Sequence, residues 1–117
     1  MAATRRKRPS SPRIVLILAA YPKRRAATRA AKLLLEERVL ACATVVPGAR
    51  AVYFWNGKRH SDSSTLLYGK TTAARVKDAL RRIRESHPDQ VPEILVLNVM
   101  DGDPAYLSWV GKSVAKK

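Results

Sequence analysis

Cysteine is almost missing from this 117-residue chain: Cys42 stands alone. One thiol cannot close an internal disulfide, and without a Cys pair no cysteine zinc site is expected. A single thiol suits a reducing compartment, so a cytoplasmic location is the expectation. Histidine is equally scarce, with only His60 and His87. Long hydrophobic runs are absent. The longest, Ile14 to Tyr21, has the length of a strand and falls far short of a bilayer span, so no membrane partner is expected. No apolar stretch is followed by a small-residue cleavage site, so no signal peptide is expected. A glycine-rich phosphate loop is lacking too. Gly69-Lys70-Thr71 has no upstream glycine and is a chance match. No nucleophile sits in a recognisable motif and neither histidine has an evident acidic partner, so the chain does not read as an enzyme.

Acidic residues are few: nine, against 23 Lys and Arg, for a formal net charge of +14. Residues 1–13 hold Arg5, Arg6, Lys7, Arg8 and Arg13 with no acid, so this segment carries +5 and the remainder +9. The segment has no periodicity and reads as a disordered basic tail. A nuclear-localisation or nucleic-acid role for its basic run and an organellar presequence are alternatives to a merely solvated tail. The positive balance predicts solubility and weak, non-specific attraction to polyanions. Apolar residues make up 46% of the chain, enough for one globular core at this length.

Ile14 to Ala20 is a β-branched apolar run and predicts a strand buried on both faces. Pro22 suits a first helical turn. Lys23 to Arg38 is rich in helix formers, with Ala27, Ala30, Ala31, Leu34 and Leu35 at helical spacing and Lys23, Arg24, Arg25, Arg29 and Lys32 on the other face. Val39 to Phe54 predicts a long strand bent at Pro47-Gly48. Asn56-Gly57 predicts a two-residue hairpin turn, and the return strand runs from about Ser63 to Thr71, leaving Lys58 to Asp62 as an exposed end. Thr72 is placed to cap a second helix with Val76, Ala79, Leu80 and Ile83 on its apolar stripe. Pro88 ends that helix. Ile94 to Met100 predicts a further buried strand. Asp103 then caps a last helix packing through Tyr106, Leu107, Trp109 and Val110. The order is that of an α+β, ferredoxin-like β-α-β-β-α-β domain over residues 14–117 with an extra C-terminal helix. Both crossover helices fall on one side of an antiparallel sheet, so the other side needs a cover.

Ordered blocks along the chain resemble the CutA divalent-cation-tolerance family. They are Ala41-Cys42-Ala43-Thr44-Val45-Val46-Pro47-Gly48, Tyr53-Phe54-Trp55-Asn56-Gly57-Lys58, Gly69-Lys70-Thr71-Thr72, His87-Pro88, Val91-Pro92-Glu93-Ile94, and Gly102-Asp103-Pro104-Ala105-Tyr106-Leu107-Ser108-Trp109. The resemblance implies a subunit similar to the PII signalling proteins, and a PII-like homotrimer in which long hairpins extend neighbouring sheets. Tyr53, Trp55, Tyr106 and Trp109 are the candidates for the trimer interface, because aromatic rings bury much area per residue.

The resemblance further implies divalent-cation tolerance, with copper or a similar divalent ion as the metal. The ligands attributed to the family are a Cys near the end of the first strand and a His-His pair before a Pro. Those positions here hold Ala19, Ser86 and His87, so only His87 matches. Cys42 is the second candidate ligand, suited to softer copper(I). Asp89 and Glu93 could supply only hard oxygens, and His60 sits where a surface role is expected. RNA binding is the alternative from another class, since RNA-recognition domains share this element order. However, the strand that would stack bases carries the single aromatic Tyr68. A PII-like small-molecule sensor with pockets at subunit clefts, or a trimeric scaffold without metal, is a third alternative.

Overall fold

In the computed structural model, which describes residues 12–116, the first apolar run forms strand β1 (Ile14–Tyr21). It is followed by α1 (Arg24–Glu36), β2 (Cys42–Trp55), β3 (Lys58–Thr72), α2 (Val76–Ser86), β4 (Ile94–Asn98) and α3 (Pro104–Ser113). All pairings are antiparallel, in the sheet order β2-β3-β1-β4. This is the expected β-α-β-β-α-β order with one added helix. Residues 1–11 of the basic tail lie outside the described residues. Arg13 is already engaged, its carbonyl accepting from the Ala73 amide at 2.8 Å.

Side chains alternate across a strand, so the register assigns each residue to a face. Ile17, Ala19 and Tyr21 lie opposite Gly69, Leu67 and Thr65. This face packs on Ala27, Ala30, Ala31 and Leu34 of α1 and on Ala79 and Ile83 of α2, forming the core. The small side chains of α1 let it lie close to the sheet. α1 ends before Arg38, where helix was expected to reach. The Val39 amide donates to the Leu34 carbonyl at 3.2 Å and the Arg38 amide to Leu35 at 3.0 Å, with Arg38 at φ 62°. That is a Schellman closure, and its hydrophobic contact plants Val39 in the core beside Leu34. Val39 and Leu40, expected to begin β2, are therefore buried turn residues.

β2 and β3 form a long hairpin that stretches the fold to 55 × 31 × 22 Å. Asn56 (φ 52°) and Gly57 (φ 78°) make the tight turn. Because that turn is so short, Lys58 to Asp62 belong to β3, opposite Ala51 to Trp55, rather than forming a separate end. Between Val46 and Ala49 the register slips, and Pro47 and Gly48 together oppose Thr65 alone. Gly48 takes φ 85° in this bulge. The extra residue inverts the alternation of β2. Before it, Thr44 and Val46 share a face with Tyr68 and Leu66. After it, Tyr53 and Trp55 share that same face with His60 and Lys58.

Two expectations fail locally. Thr72 makes no side-chain cap; a single 3-10 turn, Ala73–Arg75, intervenes before α2. β4 is shorter than expected and is not buried. It is an edge strand, with Leu95, Val96 and Leu97 exposed at 54%, 42% and 45%. Leu95 and Leu97 pair with Leu18 and Leu16 on the face turned away from α1 and α2. α3 covers part of that face: Val110 and Val114 are buried outside the main core cluster. Asp103 caps α3 as expected, accepting from the Tyr106 amide at 3.0 Å. Of the expected packing residues of α3, Val110 is fully buried and Leu107 half-buried, while Tyr106 and Trp109 stay exposed.

Candidate functional site

His87 follows the last turn of α2 in an extended conformation, φ −80° and ψ 136°, as the following Pro88 demands. This turns its ring inward, where the side chain is fully buried. Nε2 lies 2.7 Å from the Ala20 carbonyl, which only accepts, and Nδ1 lies 3.1 Å from the Asp89 amide, which only donates. The pair fixes the ring as the Nε2–H tautomer with both nitrogens satisfied. Its face stacks on Tyr21, with ring centroids 4.3 Å apart and planes inclined by 20°. Burial pushes the Tyr21 phenol up to about 12.

Cys42 opens β2, half-buried, on the face turned away from α1 and α2. The Lys70 ammonium lies 3.8 Å from its sulfur and 2.7 Å from the Thr44 hydroxyl. Burial, with the Cys42 sulfur beside it, raises the Tyr106 phenol above its ordinary value.

The two candidate ligands are not brought together within one subunit. Cys42 sits level with Leu16, two strands across from β1, whereas His87 bonds to Ala20 at the other end of β1. Strand spacing and rise place them on the order of 15 Å apart. They also lie on opposite faces of the sheet, since His87 stacks on the core residue Tyr21. Ala19 is wholly buried on the core face, and Ser86 spends its hydroxyl on the Arg82 carbonyl at 2.8 Å. Among the described residues no three His, Cys, Asp or Glu side chains are grouped to hold a metal ion. The donors present among the described residues therefore do not fit a preformed cage for copper within this chain. A loop imidazole bonded to backbone before Pro88 is a reading the sequence allows, but it could not name Ala20, which lies 67 residues away with no local pattern to signal it.

The four aromatic candidates are all exposed: Tyr53 41%, Trp55 52%, Tyr106 41% and Trp109 47%. Tyr53 donates to the Asp62 carboxylate at 2.5 Å, a bond that raises its phenol above the ordinary value, and stacks on His60 at 5.3 Å. Tyr106 and Trp109 contact each other at 5.7 Å. The bulge sets Tyr53 and Trp55 on the same side as the partly uncovered apolar face. There they line a cleft with His60, Asp62, Asp89 and Glu93. Tyr68 is half-buried on this face, with no second aromatic beside it in β3. No helix among the described residues is long and apolar enough to cross a membrane.

Comparison with known proteins agrees with this architecture. A family described as "CutA1 divalent ion tolerance protein" matches residues 15–113. The divalent-cation tolerance protein CutA of Pectobacterium atrosepticum is 39% identical over 100 residues, covering 86% of this chain and 91% of that protein. Among solved structures, CutA1 from Oryza sativa superposes with TM-score 0.87 at 28% identity, covering 92% of this chain and 98% of that one. The divalent cation tolerance protein of Thermus thermophilus gives 0.84 at 34% identity, covering 87% and 99%. The chain belongs to the CutA family of divalent-cation tolerance proteins.

Proposed function

We propose that this protein works as a homotrimer in tolerance to divalent cations, assembling and binding rather than catalysing. The observation that carries the assembly is the uncovered sheet face. Leu95 and Leu97 on edge strand β4, Val46 on β2, and the aromatics of the far hairpin are exposed in the single subunit. An apolar face of this kind, bordered by unpaired strand edges, is unfavourable in water and is relieved by strand pairing with further copies. The number three follows the resemblance to the PII proteins. Light scattering on the purified chain tests it: a trimeric mass is expected, and a stable monomer refutes it.

The cation enters this reading without a site at His87 and Cys42 of one subunit. For His87 to ligate, it would have to release the Ala20 carbonyl or the Asp89 amide. Titration calorimetry with copper(II), and with copper(I) under reduction, compares the native chain with His87→Ala and Cys42→Ala. Unchanged binding in both variants is expected. A loss confined to either variant would put the ion on that residue.

A further inference from the structure

α1 and α2 pack side by side on one face of the sheet, yet their charges are handled differently. On α2 and its flanks Arg75, Arg81 and Arg82 have acidic partners, while Lys77 and Arg84 have none among the described residues. Arg82 bonds Glu37 and Glu85 at 2.7 Å each, and Arg75 and Arg81 flank Asp78 at 3.8 and 3.7 Å. On α1, Lys23, Arg24, Arg25, Arg29 and Lys32 are exposed within ten residues that contain no acid. Their cations have no ionic partner among the described residues. Like charges three and four residues apart repel. Cations in the first turn also oppose the helix dipole, and the first turn of α1 holds no acid to offset them. The isolated protein thus carries a repulsion that an anionic partner would relieve.

We propose that the outward face of α1 binds the phosphate backbone of a nucleic-acid duplex, through Lys23, Arg24, Arg25, Arg29 and Lys32. These residues line a shallow groove with Thr28. The stretch from Arg24 to Lys32 rises about 12 Å, comparable with the ~12 Å width of a B-form major groove. The makeup of the face selects its partner. It offers no aromatic ring on which a single-stranded base would stack. It has no Asn or Gln to read a base edge, and its arginines are spread along the helix to meet successive charges, so binding is independent of sequence. The groove itself has no bulky apolar side chain to enter a bilayer; the one exposed leucine of α1, Leu35, lies a turn beyond Lys32. The face lies opposite the sheet side that assembly would cover, so it is free in a monomer and a trimer alike.

The test is fluorescence anisotropy of the full chain with a labelled DNA duplex of about 20 base pairs, titrated over a range of salt. RNA duplex is a parallel arm that separates the two sources of the same backbone. Arg25→Gln with Arg29→Gln removes two charges at exposed sites and keeps good helix formers. Each lost phosphate contact removes ~0.9 from the salt slope, so the slope should fall by about 2 and affinity near 0.15 M salt by roughly thirtyfold. A charge-matched pair on α2, Lys77→Gln with Arg84→Gln, should change affinity less than about threefold, as partial screening of distant charges predicts. The α1 effect should persist when Arg5, Arg6, Lys7 and Arg8 are all replaced by Gln. The proposal is overturned if the native chain does not bind, if the α1 and α2 pairs weaken binding equally, or if the α1 effect vanishes in the tail-substituted background. It is also overturned if phosphatidylcholine vesicles doped with phosphatidylserine bind as tightly with the same dependence on Arg25 and Arg29.

Discussion

Replacing Tyr21 with Phe isolates one hydroxyl in the core. Tyr21 is 1% exposed and its hydroxyl has no hydrogen-bond partner among the described residues. Phe keeps the ring, and with it the stack on His87 at 4.3 Å. A buried polar group left unsatisfied costs about 1–3 kcal/mol, so Tyr21→Phe should raise stability by about 1–2 kcal/mol near neutral pH. The alkaline range gives a second signature. The folded pKa of Tyr21, about 12, exceeds the unfolded value near 10. The folded state therefore holds its proton over that interval while the unfolded state releases it. This contribution is complete below about pH 10 and is lost as pH rises through about 12, at up to about 1.36 kcal/mol per unit. The Phe variant lacks the term, so its stability should fall less steeply across that window. Tyr53 and Tyr106 are present in both proteins and cancel in the comparison. Urea unfolding at fixed protomer concentration, repeated across pH, measures both effects. A Phe variant less stable by 1 kcal/mol or more at neutral pH, or one with the same alkaline decline, would refute the reasoning; the hydroxyl would then have a partner.

Leu67, wholly buried in the core beside Ala19 of β1, should lose about 2–5 kcal/mol on replacement by Ala, read as a drop in the urea midpoint. Arg38→Gly should gain about 1 kcal/mol, because Arg38 holds a left-handed conformation that costs a side-chain-bearing residue about 1–2 kcal/mol; thermal unfolding would show it. Asp103→Ala removes the cap on the Tyr106 amide and should cost about 1 kcal/mol. Hydrogen exchange in the first turn of α3 should rise in step, and unchanged exchange would show that the cap is redundant.

The order of elements was legible because each carries its own period: the apolar run of β1, the alanine-leucine stripe of α1, the Asn56-Gly57 turn. The end of α1 was not, because Glu37 and Arg38 are ordinary helix formers. What closes the helix is Val39 entering the core, a tertiary event. β4 was misjudged for a related reason. Its apolar side chains suit burial, but nothing among the described residues covers Leu95 and Leu97. For the site, the sequence could single out His87 as the one matching ligand position. It could not reveal that Ala20 and the Asp89 amide occupy both nitrogens. The basic stripe of α1 was visible in the sequence, but the contrast with the paired charges of α2 needed three dimensions.

The bulge at Pro47-Gly48 gives the long hairpin something like a reading frame. A strand has a period of two, so one inserted residue shifts every later side chain to the other face, while two restore it. Deleting Gly48 alone would return β2 to strict alternation and leave Tyr53 and Trp55 on the open side, because Pro47 and Gly48 together fill the one step opposite Thr65. Straightening the bulge with all its residues kept would instead turn Val52 and Phe54 to that side, presenting branched and plain apolar groups where the hairpin now offers a phenol and an indole that can also hydrogen-bond. Changes of even length in this arm would be silent in orientation. Changes of odd length would recode its contact surface wherever no bulge absorbed them.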